Sequence, residues 1–152
     1  MFSRRRSREF LLQSLYSRHE LGDAFVREDF LDSYFDADNI ASIDMTYVDT
    51  MEKAILAHEA ELISIVQTLA PKFELSTIPV MHIMIIMIAL TEMLYASSAD
   101  TPEPVSVNEA IELAKRFSDD QGRMFINGAL STFLKKRETV MLGGKEVEFR
   151  VF

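Results

Sequence analysis

The sequence predicts an all-α fold, a compact bundle of six to seven helices followed by a short C-terminal β-hairpin tail. Apolar residues recur every three or four positions along most of the chain, which is the period of a helix with one buried face. The 152 residues, of which 48% are hydrophobic, are enough for a single core. The last stretch, TVMLGGKEVEFRVF, changes to alternation beside a Gly-Gly turn signal. We expect a helical domain at residues 1–138 and the hairpin tail at residues 139–152.

Three helices are predicted before the first proline of the chain. A leucine-rich stripe predicts the first helix from about Ser3 to Leu21, and Gly22 ends it. A shorter helix fits residues 25–35, and the polar stretch DADNIASID then forms a loop. A further apolar stripe predicts one long helix from about Asp44 to Ala70.

The second half of the chain contains the most apolar helix and two helices with capping signals. The fourth predicted helix follows Pro79, and apolar residues surround nearly its whole circumference, which is typical of a central helix. Ser106 and Glu109 predict a capping box at the start of the next helix, and Ser118 with Gln121 repeats the pattern for the last one. We therefore expect each of these two helices to begin at its serine.

Positive charge is concentrated at the beginning of an acidic chain. The formal net charge is −8, yet residues 1–18 carry five arginines and one glutamate, while the rest carries eleven basic and twenty-three acidic side chains. Such a chain can bind a polyanion at its basic end only, because the remaining surface repels it. The segment SRRRSR therefore predicts a phosphate-binding surface at a helix start, where free backbone amides also attract phosphate. The alternative is a solvated helix end without a ligand.

The sequence contains no motif of an enzyme or a metal site. It has no cysteine, which excludes disulfides and cysteine-ligated metals. Its three histidines fall on three different predicted helices, and none has the glutamate three residues earlier that a di-iron bundle requires. Because glycine-rich phosphate loops and Gly-x-Ser-x-Gly elbows are also absent, we predict neither catalysis nor a cofactor.

Neither a membrane span nor a signal peptide is predicted. The most apolar run, Ile83–Leu90, has eight residues, well short of the roughly 20 that a span requires. Polar and charged residues interrupt the first helix where a signal peptide needs an unbroken apolar stretch. We expect a soluble protein of the cytoplasm.

Two motifs resemble the NusB family of transcription antitermination factors. SRRRSREFLLQSLYS resembles the family's arginine-rich entry into helix one, and VSVNEAIELAKRFSDDQGRMFINGAL resembles its C-terminal signature. The motifs stand about ninety residues apart in the family's order, and IALTEML at 88–94 is similar to the helix between them. The resemblance covers nearly the whole chain apart from the tail. It implies an all-helical RNA-binding protein without catalytic activity.

The resemblance also implies partners. Proteins of this family bind boxA, a single-stranded element of ribosomal RNA leader transcripts, together with the ribosomal protein NusE. That complex joins the RNA polymerase elongation complex and suppresses termination. The alternative is a helical protein–protein adaptor or homodimer without RNA binding, which an acidic body and a strongly apolar fourth helix would also suit.

Residues from both motifs are candidates for RNA contact. The arginines would supply charge, and aromatic rings would stack on bases in the crease between helix one and the 118–134 helix. The candidates are Arg4, Arg5, Arg6, Arg8, Tyr16, Lys115, Arg116, Arg123 and Phe125. Tyr16 and Phe125 also lie on apolar stripes, so core packing is the alternative for each. For the three basic residues of the second motif the alternative is ordinary surface charge.

Other residues of the second motif favour structural roles. Glu109 is accounted for by the capping box, and Asn108 can serve the same turn. Asn127 either bonds a neighbouring backbone or contacts RNA. Gly128 is costly inside a helix, which predicts a close helix crossing at this position.

The chain departs from the family pattern just before IALTEML. Where the family commonly has an Asp-Arg pair and another arginine four residues later, this chain has His82, Ile83 and Met87. The change indicates either altered pairing with NusE or a differently filled core. Glu92 does match the family's acidic residue, and we predict it as a contact for the protein partner.

Overall fold

The computed structural model describes residues 1–34, 40–96, 102–144 and 146–152. Within these ranges all regular secondary structure is helical, and eight α-helices are present instead of the expected six to seven. They are α1 (Arg4–Leu21), α2 (Arg27–Tyr34), α3 (Met45–Ala57), α4 (Glu59–Leu69), α5 (Val80–Leu94), α6 (Glu103–Phe117), α7 (Asp120–Lys135) and α8 (Arg137–Leu142). The all-α prediction is therefore confirmed.

Helix α5 lies at the centre of the bundle, as its apolar circumference predicts. All its residues from Ile83 to Met93 are buried, because α1, α3, α4, α6 and α7 pack around it. Pro79 precedes its first turn, where a missing backbone N–H leaves no helical hydrogen bond unmade. No helix in the described part of the chain is long and apolar enough to cross a membrane.

The long helix predicted from Asp44 to Ala70 is divided at His58 into α3 and α4. The backbone there, with φ −113° and ψ 18°, departs from helical geometry, and the imidazole stacks on the Tyr95 ring at a centroid distance of 3.8 Å. Ile55 and Leu62 are fully buried on either side of the break. The apolar period thus continues across an interruption that periodicity cannot detect.

Neither predicted capping box forms. Helix α6 begins at Glu103, because prolines at its start fix the first turn there, and Ser106 consequently lies inside the helix. Helix α7 is capped by Asp119 instead of Ser118, and the Asp119 carboxylate accepts the Gly122 amide at 2.7 Å. The predicted serines are therefore available for contacts between helices.

The close helix crossing predicted at Gly128 is wrong, since a Cβ at that position would have no neighbour within 4 Å. The crowded glycine is Gly122, where a Cβ would collide with the hydroxyl of Ser118 and the imidazole of His82. Glycine at 122 thus lets the start of α7 approach α5 closely.

The predicted β-hairpin tail is also wrong. Residues 137–142 form α8, and no strand occurs in 146–152, the described part of the segment that follows. Val147 and Phe149 pack against the helical core, and Val151 is buried. The alternation of apolar residues therefore reflects an extended segment with one face on the helices, and a partner strand is not needed to explain it.

Two side chains hold the end of the tail. The Glu59 carboxylate accepts the backbone amides of Val151 and Phe152, the latter at 3.0 Å. His19 Nδ1 bonds the Val151 carbonyl at 2.6 Å. These contacts attach the tail to α1 and α4. The domain boundary expected after residue 138 falls within α8.

Candidate nucleic-acid interface

The arginine-rich segment forms the first turns of α1. Ser3 caps the helix, and its hydroxyl accepts the Arg6 amide at 3.2 Å. Arg5 and Arg8 are three residues apart and share one face of α1, on which both approach Glu109 of α6, but they differ in burial. Side-chain exposure is 57% for Arg5 and 5% for Arg8. This face of α1 is therefore exposed at Arg5 and buried one turn later at Arg8.

Arg8 belongs to a polar network inside the bundle. Its Nε and Nη2 atoms donate to the two carboxylate oxygens of Glu92 at 2.6 and 3.2 Å. Ser106 donates its hydroxyl to the same carboxylate at 2.7 Å, and the Tyr47 hydroxyl donates to it as well. Burial, together with the charge of Glu92, raises the pKa of Tyr47, which therefore remains a neutral donor. The network joins α1, α3, α5 and α6.

The placement of Arg8 and Glu92 does not fit the roles predicted for them. A phosphate contact for Arg8, or a partner contact for Glu92, would first require opening the core. It would also leave a buried charge without its counterion, which is strongly unfavourable. Both residues act in the structure as internal supports for α1 and α6.

Arg5 lies at the surface and pairs with Glu109 of α6. The guanidinium donates from Nε and Nη2 to the two carboxylate oxygens at 3.1 and 3.0 Å. The hydrogen bond from Arg5 lowers the pKa of Glu109, and partial burial of the carboxyl opposes that shift. Glu109 therefore serves as an ion-pair partner and not as a helix cap.

Arg4 and Arg6 face the segment that leads into α3. Arg4 lies 3.5 Å from the Asp44 carboxylate, and its guanidinium lies 4.2 Å from the centre of the Tyr47 ring. Arg6 donates from Nη1 to the Ser42 hydroxyl at 3.3 Å. Both side chains are exposed, so they extend the basic surface beyond Arg5.

A surface cleft between α1 and α6 brings together residues from both predicted motifs. Its volume is about 330 Å³. It is lined by three basic residues, three acidic residues and one leucine: Arg5, Lys115, Arg116, Glu9, Glu109, Glu112 and Leu113. We call it the α1–α6 cleft. Three of the predicted RNA-binding residues thus meet at one place.

The other two basic residues of the cleft also have carboxylate partners. Arg116 Nη1 lies 3.2 Å from Glu9 Oε1, and Lys115 Nζ lies 3.1 Å from Glu112 Oε1. The side chains of Arg116 and Lys115 are 65% and 50% exposed. The Glu112 side chain is also 41% exposed, and an ion pair open to water at both ends contributes about 0–1 kcal/mol. A phosphate can therefore replace Glu112 at little cost, whereas the Glu9 side chain is 17% exposed and its pair with Arg116 is open to water at the arginine only.

Phe125 and Arg123 lie on α7, outside the α1–α6 cleft. The partly buried Phe125 ring lies edge-on to Phe73 at 5.8 Å and 6.2 Å from the His82 ring. It lines a mainly apolar groove of about 380 Å³ that shares no lining residue with the cleft. Arg123 pairs with Asp120 at 3.1 Å.

The predicted crease between helix one and the 118–134 helix is not a principal contact of the bundle. Helix α1 packs mainly on α3 and α5, whereas α7 packs on α4, α5, α6 and α8. Tyr16 is exposed on α1, and its hydrogen bond to Glu20 raises the pKa of the tyrosine. The structure therefore gathers Arg5, Lys115 and Arg116, and it leaves Phe125 at a separate groove.

Sequence reasoning missed the acidic residues of the cleft. Glu9 lies four residues after Arg5 on α1, and Glu109, Glu112 and Arg116 follow one another at spacings of three and four on α6. Residues with these spacings share one face of a helix. The spacing of these acidic and basic residues could be read from the sequence. The total charge of a long segment does not reveal it.

The departures from the family pattern occupy different surroundings. Ile83 and Met87 are fully buried, which fits the interpretation of a differently filled core. His82 is partly buried, and its Nε2 lies 2.5 Å from the Ser118 hydroxyl oxygen. Burial lowers the pKa of His82. This histidine joins the start of α5 to the turn between α6 and α7.

Comparison with known proteins adds an independent finding. A model of the NusB family matches residues 5–135 of this chain. Proteins named transcription antitermination protein NusB are similar along most of its length. That of Enterococcus faecalis is 34% identical over 88% of this chain and 90% of its own, and that of Clostridium perfringens is 33% identical over 90% and 99%. That of Finegoldia magna is 29% identical over 92% and 99%. The family match includes the α1–α6 cleft and ends with α7.

Proposed function

Because this chain belongs to the NusB family of transcription antitermination proteins, we propose that it binds boxA-like single-stranded RNA. In this proposal its protein partner is NusE. The complex joins RNA polymerase during ribosomal RNA synthesis, and it acts by recruitment and not by catalysis. Family membership supports the general role, and the chemistry of the α1–α6 cleft supports RNA as the ligand.

The observation that carries the proposal is the meeting of exposed basic residues in the α1–α6 cleft. Arg5 comes from the first motif, and Lys115 and Arg116 come from the second. The planar fork of arginine binds phosphate with two parallel hydrogen bonds, and lysine adds a point charge. Contacts of this kind position an RNA backbone, while base contacts and a protein partner supply sequence specificity.

In this proposal the predicted RNA-binding residues fall into three groups. The proposed phosphate contacts are Arg4, Arg5, Arg6, Lys115 and Arg116. Arg8 supports this surface from inside the bundle through Glu92. The third group, Tyr16, Arg123 and Phe125, lies outside the cleft. We expect these residues to contact the RNA only where its strand continues past the cleft along α1 or α7. Stacking on such aromatic rings would add affinity for unpaired bases.

Binding of a fluorescently labelled boxA-like RNA, measured by anisotropy over a range of salt concentrations, tests the proposal. The variant Arg4→Ala/Arg5→Ala/Arg6→Ala keeps Arg8 and therefore keeps the internal network. For single strands, each phosphate contact contributes about 0.7 to the slope of log affinity against log salt. We expect the variant to bind more weakly and its slope to fall, by at most roughly 2 if all three arginines contact phosphate.

A matched control removes three exposed positive charges elsewhere, in Lys53→Ala/Lys135→Ala/Lys136→Ala. If the cleft is the RNA site, this control keeps most of the affinity and of the salt slope. Equal losses in both variants would indicate non-specific attraction. An unchanged curve in the arginine variant, or no binding by the parent protein, would favour the adaptor or homodimer alternative.

A further inference from the structure

The α1–α6 cleft carries no net charge, although the proposed function requires it to bind a polyanion. Its three basic and three acidic side chains are paired one to one. A neutral surface attracts RNA much less than an unpaired cluster of arginine and lysine would. The carboxylates therefore need an explanation.

The Glu109 carboxylate occupies one of the two edges through which the Arg5 guanidinium could bind a phosphate with two hydrogen bonds. Both of its oxygens accept from one edge of the guanidinium, at 3.1 and 3.0 Å. Bidentate phosphate binding uses the same fork. Since one edge cannot hold both anions, an RNA phosphate must displace Glu109 before it gains this contact. Glu9 on Arg116 and Glu112 on Lys115 each make a single contact, at 3.2 and 3.1 Å, and so compete for one donor nitrogen of their partner.

A second cation makes this displacement feasible for Glu109. Its Oε2 lies 3.7 Å from Nη1 of Arg8, the residue that is held in place by Glu92. A Glu109 side chain released by Arg5 therefore remains next to a fixed positive charge. It does not become an isolated, partly buried anion, which would be costly.

We propose that Glu9, Glu109 and Glu112 are internal competitors that occupy the phosphate positions of the cleft until RNA replaces them. This inference rests on the proposed function and concerns the regulation of the same site. Each phosphate contact is gained by exchanging one ion pair for another, so its net contribution is small. Binding that depends on phosphates alone is suppressed, and an RNA that also makes base or partner contacts overcomes the competition.

The test removes competing charge without removing a basic residue. In Glu9→Gln/Glu112→Gln the side chains keep their shape and lose their charge, and the internal network is untouched. From the weak energies of exposed ion pairs, we expect this variant to bind the same RNA about three- to tenfold more tightly. We also expect its salt slope to steepen, because a phosphate that no longer replaces a carboxylate releases its counterion without compensation.

The control is Glu74→Gln/Glu138→Gln, which changes net charge by the same amount at two exposed positions outside the cleft. If both variants tighten binding equally, the effect is one of net charge and the inference is overturned. It is also overturned if the cleft variant binds more weakly, since the carboxylates would then contact RNA directly. Absence of RNA binding by the parent protein would instead refute the proposed function itself.

Discussion

Arg5 and Arg8 stand three residues apart on α1, and each makes a two-point ion pair with a glutamate. The chemistry of the two pairs is the same, but their surroundings differ. Arg8 and Glu92 are buried and share further hydrogen bonds, whereas Arg5 is mostly exposed. We call the first the inner pair and Arg5–Glu109 the outer pair.

The difference between the two pairs lies in what replaces a lost partner. Water reaches Arg5, and a Glu109 side chain released by Arg5 still has Arg8 3.7 Å away although it is only 17% exposed, so breaking the outer pair costs less than breaking the inner pair. Nothing solvates the inner pair, so removal of one partner costs about 3–5 kcal/mol. One arginine-rich segment therefore supplies a buried support and a surface arginine whose ion pair can be exchanged. In the proposed function, the outer pair serves RNA binding while the inner pair keeps α1 in place.

The largest expected effect comes from breaking the inner pair. Arg8→Met leaves the Glu92 charge buried without a counterion, and we expect the free energy of unfolding to fall by about 3–5 kcal/mol. Arg5→Met is the matched control and should change it by less than about 1 kcal/mol. Urea denaturation followed by circular dichroism measures both variants. Similar values for the two would remove the distinction between inner and outer pairs.

A double-mutant cycle sharpens the comparison with a smaller effect. For Arg8→Met and Glu92→Gln, we expect the double variant to be more stable than the sum of the single losses predicts, by about 1–3 kcal/mol. The corresponding cycle for Arg5→Met and Glu109→Gln should give a coupling energy below about 1 kcal/mol. The inner coupling should persist in high salt, because buried charges are little screened. A coupling energy near zero for Arg8 and Glu92 would show that neither residue depends on the other for its contribution to stability.

The smallest effect concerns acid stability through the outer pair. The pKa of Glu109 is lower in the folded protein than its ordinary value of 4.5, so between these two values the unfolded chain binds more protons. The contribution of Glu109 is therefore complete above about pH 4.5 and is lost as the pH falls through the folded pKa. In Arg5→Met, we expect the pKa of Glu109 to return toward 4.5. Carboxyl NMR titration measures it, and an unchanged value would exclude Arg5 as the cause.

Periodicity predicted the central elements of the fold with good accuracy. The expected first helix matches α1, and the expected fourth helix matches α5, because apolar spacing directly reports which face is buried. Periodicity could not reveal the break at His58, where the apolar stripe continues. It also could not distinguish a hairpin from an extended tail, since both place alternate residues on one surface.

The residues of the candidate site could be predicted in part. Arg5, Lys115 and Arg116 were recognised as basic residues and lie in one cleft. The capping interpretation of Ser106 and Glu109 was wrong because the helix begins earlier and arginines of α1 compete for these side chains. Local motifs describe what neighbouring residues can do, and distant residues determine which of those contacts form.

The order of residues is sufficient to predict a helical domain, a basic beginning on an acidic body and the motifs of the NusB family. It does not establish which arginine is internal. The glutamates that pair with Arg8 and Arg5 lie 84 and 104 positions away along the chain. Their effect depends on how much water the folded helices exclude, and desolvation is a property of three-dimensional packing. Folding therefore makes one arginine an internal support and leaves a chemically identical one at the surface.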